Sequence, residues 1–446
     1  MELKLDKMTV TALPLARNVM QITADASSAL APEKEFYHYD RENGTVAGQI
    51  ELEKKDGIIA VHTYFADFSV CLTDCGAVIA CNDARFYSTG AVGGKSKLNG
   101  GKYAARELPS PVILADTCWG FRMIGGSAID LSETGKVKLT FDGKVNFVIY
   151  AGRIFEMLAL DCKLFGSGMI PAITDYAPES NAADDAKLPI AKPLIDAHPT
   201  HFDCFSDKTH GSLDNGGFYT KMRYKLIPYI YSQVIESRKT GMPLVRPLAF
   251  MYYDADSLDA ENEYMFGRDL LITAGGRTYL PLGENWMNYT TGRCYTGGQY
   301  IDEEIPEGMD GVIFVRGGAS IPMSTFDDRI EYSSELILRE TPGGIDSFWF
   351  YESDGKAQNI ADAKLNKTLI TAYQDEKGYL VRMGERLGRN DWMSLKRTWI
   401  AEMAQCVVVS GTYVNCRDAN HIVRDDGVTV CKCGEPWLIN IRFRKK

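Results

Sequence analysis

Carboxylates with the potential for acid–base chemistry crowd into the middle of the chain. Two carboxyl groups whose pKa values are driven apart can serve as general acid and nucleophile. The chain holds 59 Asp and Glu in all, so their presence alone identifies no such pair. Residues 172–200 are rich in Asp, Ala and Pro, which is typical of a loop, and loops hold catalytic groups loosely. We therefore expect solvated rather than catalytic roles. The carboxylates concerned are Asp175, Asp184, Asp185, Asp196, Asp203, Asp207 and Asp214.

Three of the six histidines lie in the same part of the chain, at His198, His201 and His210. With Asp203 and Cys204 they raise the question of a metal site. Their spacing matches neither a helical ligand pair nor a zinc finger. No metal is expected, and the paired glycines elsewhere open no helix after a strand, so no phosphate loop and no cofactor are expected either.

Four aromatic side chains are candidates for stacking against a ligand. Buried aromatics in β-sandwiches usually belong to the core, and that alternative stays open for each of them. The four are Tyr103, Trp119, Trp286 and Trp349.

A long helix follows this region of the chain. Its apolar residues recur every four positions, at Phe218, Met222, Leu226, Ile230 and Val234. This period predicts one apolar helix face. Gly241 should end the helix, and Pro228 within it should bend it or remove a hydrogen bond.

The flanking regions carry the pattern of β-structure. Short runs such as residues 58–73 and 144–152 alternate with Asp-Gly turns, which predicts an antiparallel sandwich in the first part of the chain. A short helix in the segment AGRIFEMLALDCKLFGSGMIPAI should be ended by Gly166 and Gly168. Beyond residue 260, short strands separated by glycine turns predict further β-units.

Composition excludes several function classes. The 446 residues carry a formal net charge of −10, which argues against a nucleic-acid partner. No run of 18 apolar residues predicts a membrane span, and the first residues lack the features of a signal peptide. Eleven scattered cysteines favour a reducing compartment, so we expect a cytoplasmic protein.

A resemblance to a known family is strongest from residue 205 to residue 256. The segments MRYKLIPYIYS, TGMPLVRPLAF and YYDAD resemble the end of the catalytic barrel in glycoside hydrolase family 31, which includes α-glucosidases and α-xylosidases. The resemblance implies that residues 218–240 are the last helix of a (β/α)8 barrel. In FSDKTHG, His210 matches a family histidine that reaches a sugar hydroxyl.

The resemblance continues on both sides. EYMFGRDLLITAGG, EEIPEGMDGVIFVRGGASIPM and FWFYESDG are similar to the family's two C-terminal β-domains. FYSTG and PVILADTCWGFRMIGG resemble its N-terminal β-domain, although Ala91 replaces the family's Glu. The same resemblance places Trp119 beside the barrel mouth, so Trp119 is the best stacking candidate of the four aromatics.

The part of the chain that would correspond to the barrel is too short to form one. A (β/α)8 barrel needs about 250 residues, but the matching segments before Pro171 and after His201 lie close together in the chain. No stretch matches the family's catalytic Asp motifs, so we predict no catalytic residue. Substrate-binding roles are assigned to His210 and Trp119.

These observations predict a mainly β chain in four parts. We expect an N-terminal β-sandwich at 1–170, and a linker with the barrel remnant at 171–247. A proximal C-terminal β-sandwich should follow at 248–325, and a distal one at 326–446.

Three functions remain open at this point. The first is a catalytically degenerate family relative that acts as a non-catalytic subunit, binds carbohydrate, or does both. The second is an active α-glycosidase with a relocated or partner-completed site, and the third is a structural module without sugar affinity. We expect a homo- or hetero-oligomer, with a full-length family 31 homologue as one partner. The reason is that loss of a barrel should uncover apolar faces, including that of the 222–234 helix.

Overall fold

The structure is a computed structural model. It describes residues 2–5, 8–16, 18–24, 50–55, 57–92, 95–108, 110–166, 218–261, 263–273, 276–305, 311–327, 335–353, 364–376, 378–388, 397–403, 406–414, 420–423, 429–433 and 438–445. The carboxylate- and histidine-rich segment, including His210, lies outside these residues.

Fifteen strands form the N-terminal part. They are β1 Glu2–Leu5, β2 Met8–Ala16, β3 Val19–Ala24, β4 Ile50–Lys55, β5 Ile58–Thr63, β6 Asp67–Thr73, β7 Gly76–Cys81, β8 Phe86–Val92, β9 Lys95–Lys97, β10 Lys102–Ala104, β11 Val112–Ala115, β12 Trp119–Met123, β13 Gly126–Asp130, β14 Lys136–Phe141 and β15 Asn146–Ala151.

These strands confirm the predicted antiparallel sandwich. One sheet has the order β1-β2-β3-β15-β12-β11-β8-β9, and the other has the order β10-β13-β14-β7-β6-β5-β4. Strands of the second sheet, such as β14, alternate exposed and buried residues, because only one of its faces meets the core. In β15 every residue is buried, since both faces of the first sheet are covered.

Helix α1, Ile154–Phe165, covers the outer face of the first sheet. Its Ile154, Met157 and Leu158 pack with Val148 and Tyr150 of β15. Gly166 follows the helix at φ 86°, which confirms the predicted end.

Helix α2, Phe218–Thr240, is one continuous helix that includes Pro228. The Ser232 hydroxyl donates to the Pro228 carbonyl oxygen at 2.7 Å. Gly241 ends the helix at φ 74°, and a Cβ there would lie 2.3 Å from the Leu158 carbonyl oxygen of α1. Only glycine therefore permits the close approach of the two helices.

The next part of the chain builds a six-stranded sheet and a short hairpin. Their elements are β16 Val245–Pro247, helix α3 Ala255–Asp259, β17 Glu263–Phe266, β18 Leu270–Thr273, β19 Gly276–Leu280, β20 Asn285–Asn288, β21 Cys294–Thr296, β22 Gln299–Glu303 and β23 Val312–Arg316. The six-stranded order is β16-β17-β18-β23-β20-β21, and β19 pairs with β22.

Helix α2 covers one face of this six-stranded sheet. Alternate residues point to opposite faces, so Leu270 and Ile272 pack with the α2 cluster, whereas Leu271 packs with Tyr279 and Leu280 of the hairpin. The six-stranded sheet thus lies between the β19–β22 hairpin on one face and α2 on the other.

The last part of the chain forms two five-stranded sheets. The strands are β24 Ser320–Ser324, β25 Glu335–Glu340, β26 Asp346–Glu352, β27 Asn366–Asp375, β28 Gly378–Gly388, β29 Arg397–Met403, β30 Cys406–Val414, β31 Asn420–Val423, β32 Thr429–Cys433 and β33 Leu438–Lys445. Their orders are β24-β25-β29-β32-β31 and β26-β27-β28-β33-β30. Strand β24 pairs with β25 and so belongs to this last unit, although the predicted boundary at 325 placed it in the preceding one.

The chain is therefore mainly β, as predicted. Among the residues that the structure describes, no helix is long and apolar enough to span a membrane.

Candidate functional site

The two predicted substrate-binding residues have different outcomes. His210 lies outside the described residues, as do the seven candidate carboxylates, so their assignments stay predictions. Trp119 lies on β12 with 1% of its surface exposed.

Trp119 is enclosed in the sandwich interior. Phe68 stacks on its ring at 4.4 Å between centroids, and Phe86 meets it edge-on at 5.6 Å. Because the aromatic contacts of the core already cover the ring, a sugar-stacking role does not fit this position. The position beside an open barrel mouth that the resemblance implied is thus corrected to a core position.

The other three aromatic candidates are also held by neighbours. Trp286 is buried and its indole N–H donates to the Pro281 carbonyl oxygen at 3.3 Å. Tyr103 is half-buried, and its hydroxyl donates to the Leu98 carbonyl oxygen. Trp349 is partly buried against the C-terminal core, with the Lys367 ammonium 4.6 Å from its ring centre.

The apolar face of α2 is covered, which corrects the expectation of an exposed interface on this helix. Met222, Leu226, Ile230 and Val234 are each at most 4% exposed. They belong to one cluster with residues of β18, β24 and β26. The C-terminal sheets thus cover the face that a missing barrel was expected to leave open.

The turn between β17 and β18 is hydrogen-bonded to side chains of α2. The Tyr229 hydroxyl donates to the Phe266 carbonyl oxygen and accepts the Asp269 N–H, both at 3.1 Å. A Cβ at Gly267 would lie 2.4 Å from that hydroxyl, so the turn requires glycine there. The Gln233 side chain accepts the Arg268 N–H.

This turn introduces a buried ionic network, which we call the C-terminal junction. Asp269 is fully buried, and its Oδ1 lies 2.6 Å from Arg316 Nη2 and 3.2 Å from Arg268 Nε. Asp346 at the start of β26 contacts both guanidinium groups as well. Burial alone would raise the pKa of Asp269, but Arg268 and Arg316 hold it below its ordinary value. The network joins α2, the six-stranded sheet and the last unit.

Arg246 on β16 completes the cationic side of this junction. It is buried, and its Nε has no hydrogen-bond partner among the described residues. Burial lowers its pKa to about 10, and the nearby Tyr229 and Asp269 act in the opposite direction.

One buried carboxyl group has the raised pKa that is typical of a general acid. Glu340 on β25 is fully buried, and burial together with the nearby Asp346 and Asp269 raises its pKa to about 8. Its Oε2 accepts the Ser320 hydroxyl at 2.9 Å. Since no part of this side chain is exposed, it cannot reach a substrate, and we assign it no catalytic role.

A second meeting point of the units lies at the surface, and we call it the rim. It consists of Cys118, Arg153, Phe155, Glu156 and Tyr253. Cys118 has φ 63°, the one positive value outside glycine among the described residues, and such strain is concentrated at functional sites.

Tyr253 interacts with three of the other rim residues. Burial raises the pKa of its hydroxyl, and Cys118, Arg153 and Glu156 all act on it electrostatically, while the Ile154 N–H stabilises the ionised form. Tyr253 remains 43% exposed and Phe155, in the first turn of α1, 44% exposed. The rim thus presents the exposed ring of Tyr253 close to charged groups, and a second exposed ring, that of Phe155, in the first turn of α1.

The carboxylates around the rim are already engaged. Glu156 Oε2 accepts the Arg153 N–H at 2.8 Å at the start of α1. Arg85 contacts both Asp116, at 3.0 Å, and Asp259, at 2.7 Å. Lys97 also contacts Asp259. These groups join the sandwich to α3, and they do not form the free carboxyl pair that glycoside cleavage requires.

The described residues contain no group of three or more His, Cys, Asp or Glu side chains able to hold a metal ion. Sequence reasoning did not find the rim, because residues 118, 153–156 and 253 are far apart in the chain.

Comparison with known proteins supplies the family context. The family model "Glycosyl hydrolase family 31 C-terminal domain" matches residues 241–321. An α-xylosidase of Saccharolobus solfataricus is 31% identical over 170 residues, which are 36% of this chain and 23% of that enzyme. An α-glucosidase 2 of Bacillus thermoamyloliquefaciens is 29% identical over 191 residues, 39% of this chain and 23% of the relative. The matches therefore span only about a quarter of each relative.

Solved structures share the fold. A family 31 dextranase of Flavobacterium johnsoniae complexed with glucose superimposes with a TM-score of 0.73 and 11% identity, over 98% of this chain and 97% of the other. A family 31 α-xylosidase of Xanthomonas citri gives a TM-score of 0.67 and 10% identity, over 100% and 99% of the two chains. At this identity the likeness concerns the fold alone.

Proposed function

We propose that this chain, which is similar to family 31 glycosidases, is a catalytically degenerate member of that family and binds carbohydrate without cleaving it. The observation that carries the proposal is the short distance along the chain between α1 and α2. Residues 166–217 separate the two helices, which is roughly a fifth of the ~250 residues that a (β/α)8 barrel requires. No catalytic Asp motif of the family is found there or elsewhere.

The rim supports the carbohydrate part of the proposal. Sugars combine an apolar C–H face with hydroxyl groups, and exposed aromatic rings beside charged groups suit both. Tyr253 and Phe155 provide the rings, and Arg153 and Glu156 provide the polar neighbours. The relatives named above act on α-linked sugars, so α-linked gluco- and xylo-oligosaccharides are the first ligands to test.

The test combines hydrolysis with binding. We expect the purified chain to release no nitrophenol from 4-nitrophenyl α-glucoside or α-xyloside, and to bind maltotriose or isomaltotriose in titration calorimetry. Tyr253→Ala should weaken that binding, while Leu387→Ala removes a similarly exposed apolar side chain (47%) from β28 in the last unit and should not. Hydrolysis by the intact chain would instead support the alternative of an active α-glycosidase. Absence of both hydrolysis and binding would favour the third alternative, a structural module without sugar affinity.

Association with a full-length family 31 glycosidase is the second candidate. It is favoured because the β-units that flank a barrel are present around a barrel that is too short. The covered face of α2 cannot provide the contact, so another surface must do so. Light scattering with mass spectrometry of co-purifying chains tests this: a larger chain with a whole barrel supports a subunit role, and a lone monomer contradicts it.

The cytoplasmic location is part of the same proposal. Six cysteines in the described part of the chain are free thiols, which agrees with a reducing compartment; they are Cys71, Cys75, Cys81, Cys118, Cys162 and Cys294.

A further inference from the structure

The hairpin between β5 and β6 carries two exposed aromatic rings at its tip. Tyr64 is 82% exposed and Phe65 is 40% exposed, so Tyr64 is the most exposed large apolar side chain in the described part of the chain. The rings meet edge to face with their centroids 5.2 Å apart. Leaving both in water forgoes hydrophobic free energy, which a ligand covering them would recover.

The tip is held in one shape by Thr63. Its hydroxyl donates to the Ala66 carbonyl oxygen at 2.8 Å, and it accepts the N–H groups of Phe65 and Ala66 at 3.1 and 2.8 Å. The Thr63 N–H donates to the same Ala66 oxygen at 3.0 Å. The rings therefore stand on a preorganised turn, and little loop entropy is lost when a ligand binds.

Polar side chains flank the tip on the same hairpin. His62 and Asp67 are opposite each other in the β5–β6 register, and His62 Nδ1 lies 3.2 Å from Asp67 Oδ1. Glu53 on β4 approaches the other ring nitrogen of His62 at 3.9 Å. All three side chains are exposed, so they can exchange water for the hydroxyl groups of a ligand.

The size and charge of the tip decide between possible occupants. Two rings of this exposure offer roughly 200–300 Å², far below the ~800 Å² per partner of a stable protein interface. Glu53 and Asp67 are acidic, and they disfavour an anionic membrane surface and nucleic acid. A small neutral ligand with an apolar face and hydroxyl edges fits what remains.

We propose that the Tyr64–Phe65 tip binds a pyranose unit of a neutral oligosaccharide. The electron-rich ring of Tyr64 stacks on the C–H face of the sugar, and Asp67 and His62 hydrogen-bond to its hydroxyl groups. The choice of ligand class rests on the proposed function, but the site is separate from the rim and lies in the other sheet of the N-terminal sandwich.

The test uses a glycan array of α- and β-linked gluco-, xylo- and galacto-oligosaccharides, followed by titration calorimetry of the intact chain with the best ligand. Replacing both rings, Tyr64→Ala with Phe65→Ala, should weaken binding by about tenfold or more, the equivalent of one lost aromatic contact. Tyr64→Phe keeps the stacking face and should retain binding. Ile345→Ala changes a similarly exposed apolar residue, 80% exposed, and should leave binding unchanged.

The outcomes separate this site from the function on which it rests. Suppose that the double variant keeps its thermal unfolding midpoint and binds as tightly as the parent chain, while Tyr253→Ala loses affinity. That result would overturn the proposed binding site at the tip and support the one at the rim. If the intact chain binds no glycan on the array, both proposals are overturned. Loss of binding in the double variant, with retention in Tyr64→Phe, supports the tip.

Discussion

The two junctions of the molecule join their parts by different means. At the C-terminal junction, Asp269 is fully buried between Arg268 and Arg316. The second junction, which we call the N-terminal junction, joins the N-terminal sandwich to α3. There Arg85 and Lys97 contact Asp259 at the surface, and the Asp259 side chain is 48% exposed. There the interior contact is apolar, between Tyr87 and Phe250.

The difference explains where the chain is most recognisable. A buried charge must keep its partners, since an unpaired one is costly, whereas an apolar contact tolerates many side chains of similar size. Arg246, Arg268, Asp269 and Arg316 all lie within residues 241–321, the segment matched by the family model. The N-terminal sandwich lies outside the matched segment.

The largest effect is expected from Asp269→Asn, which tests the buried network of the C-terminal junction. The change leaves Arg268 and Arg316 without their central counter-charge in a buried site, and we expect a loss of about 3–5 kcal/mol in the free energy of unfolding. Urea denaturation measures it, with Asp142→Asn on an exposed turn as the control. Equal unfolding midpoints for the two variants would show that the buried network does not stabilise the junction.

Trp119→Phe examines the interior of the N-terminal sandwich. The smaller ring leaves a cavity beside Phe68 and Phe86, and we expect roughly 1–3 kcal/mol of destabilisation in urea, the range of ordinary core truncations. Because Trp119 is enclosed, oligosaccharide binding by the folded variant should match that of the parent chain. A selective loss of sugar affinity would restore Trp119 as a ligand contact.

Glu340→Gln tests a pH dependence that belongs to the C-terminal half. In the unfolded chain this carboxyl titrates near its ordinary pKa of 4.5, and in the folded chain near about 8. Between these values the folded chain binds more protons, so the free energy of unfolding falls as pH rises through that window. Glutamine resembles the protonated form and does not titrate.

We therefore expect urea midpoints of the parent chain to drop between about pH 5 and pH 8, with a flatter profile for Glu340→Gln. The two profiles should be closest at the acid end and separate at the alkaline end. Parallel profiles over the whole window would contradict the assignment of this pH dependence to Glu340.

The smallest effect is expected at the N-terminal junction. Asp259→Asn removes the exposed pairs with Arg85 and Lys97, and such pairs contribute at most about 1 kcal/mol. The difference from the parent chain should shrink further in 1 M salt, where exposed charges are screened. A loss as large as that of Asp269→Asn would erase the contrast between the junctions.

Particular elements show how far the sequence could be interpreted. The four-residue period of α2 and the glycine at 241 predicted that helix, because both are local consequences of helical geometry. The short β-runs separated by Asp-Gly turns, such as residues 58–73, likewise predicted the sandwich. The rim escaped prediction, because no local pattern relates residue 118 to residues 153 and 253.

The sequence alone indicated helices α1 and α2, the mainly β class and the resemblance to glycoside hydrolase family 31, since these depend on local periodicity, turn chemistry and motifs. Tertiary structure decided what each face meets. It covered the apolar side of α2 with the C-terminal sheets, enclosed Trp119 in a core and left Tyr64 in water. The apolar character of a residue indicates only that burial is favourable for it. Whether the residue is buried depends on how distant segments of the chain pack.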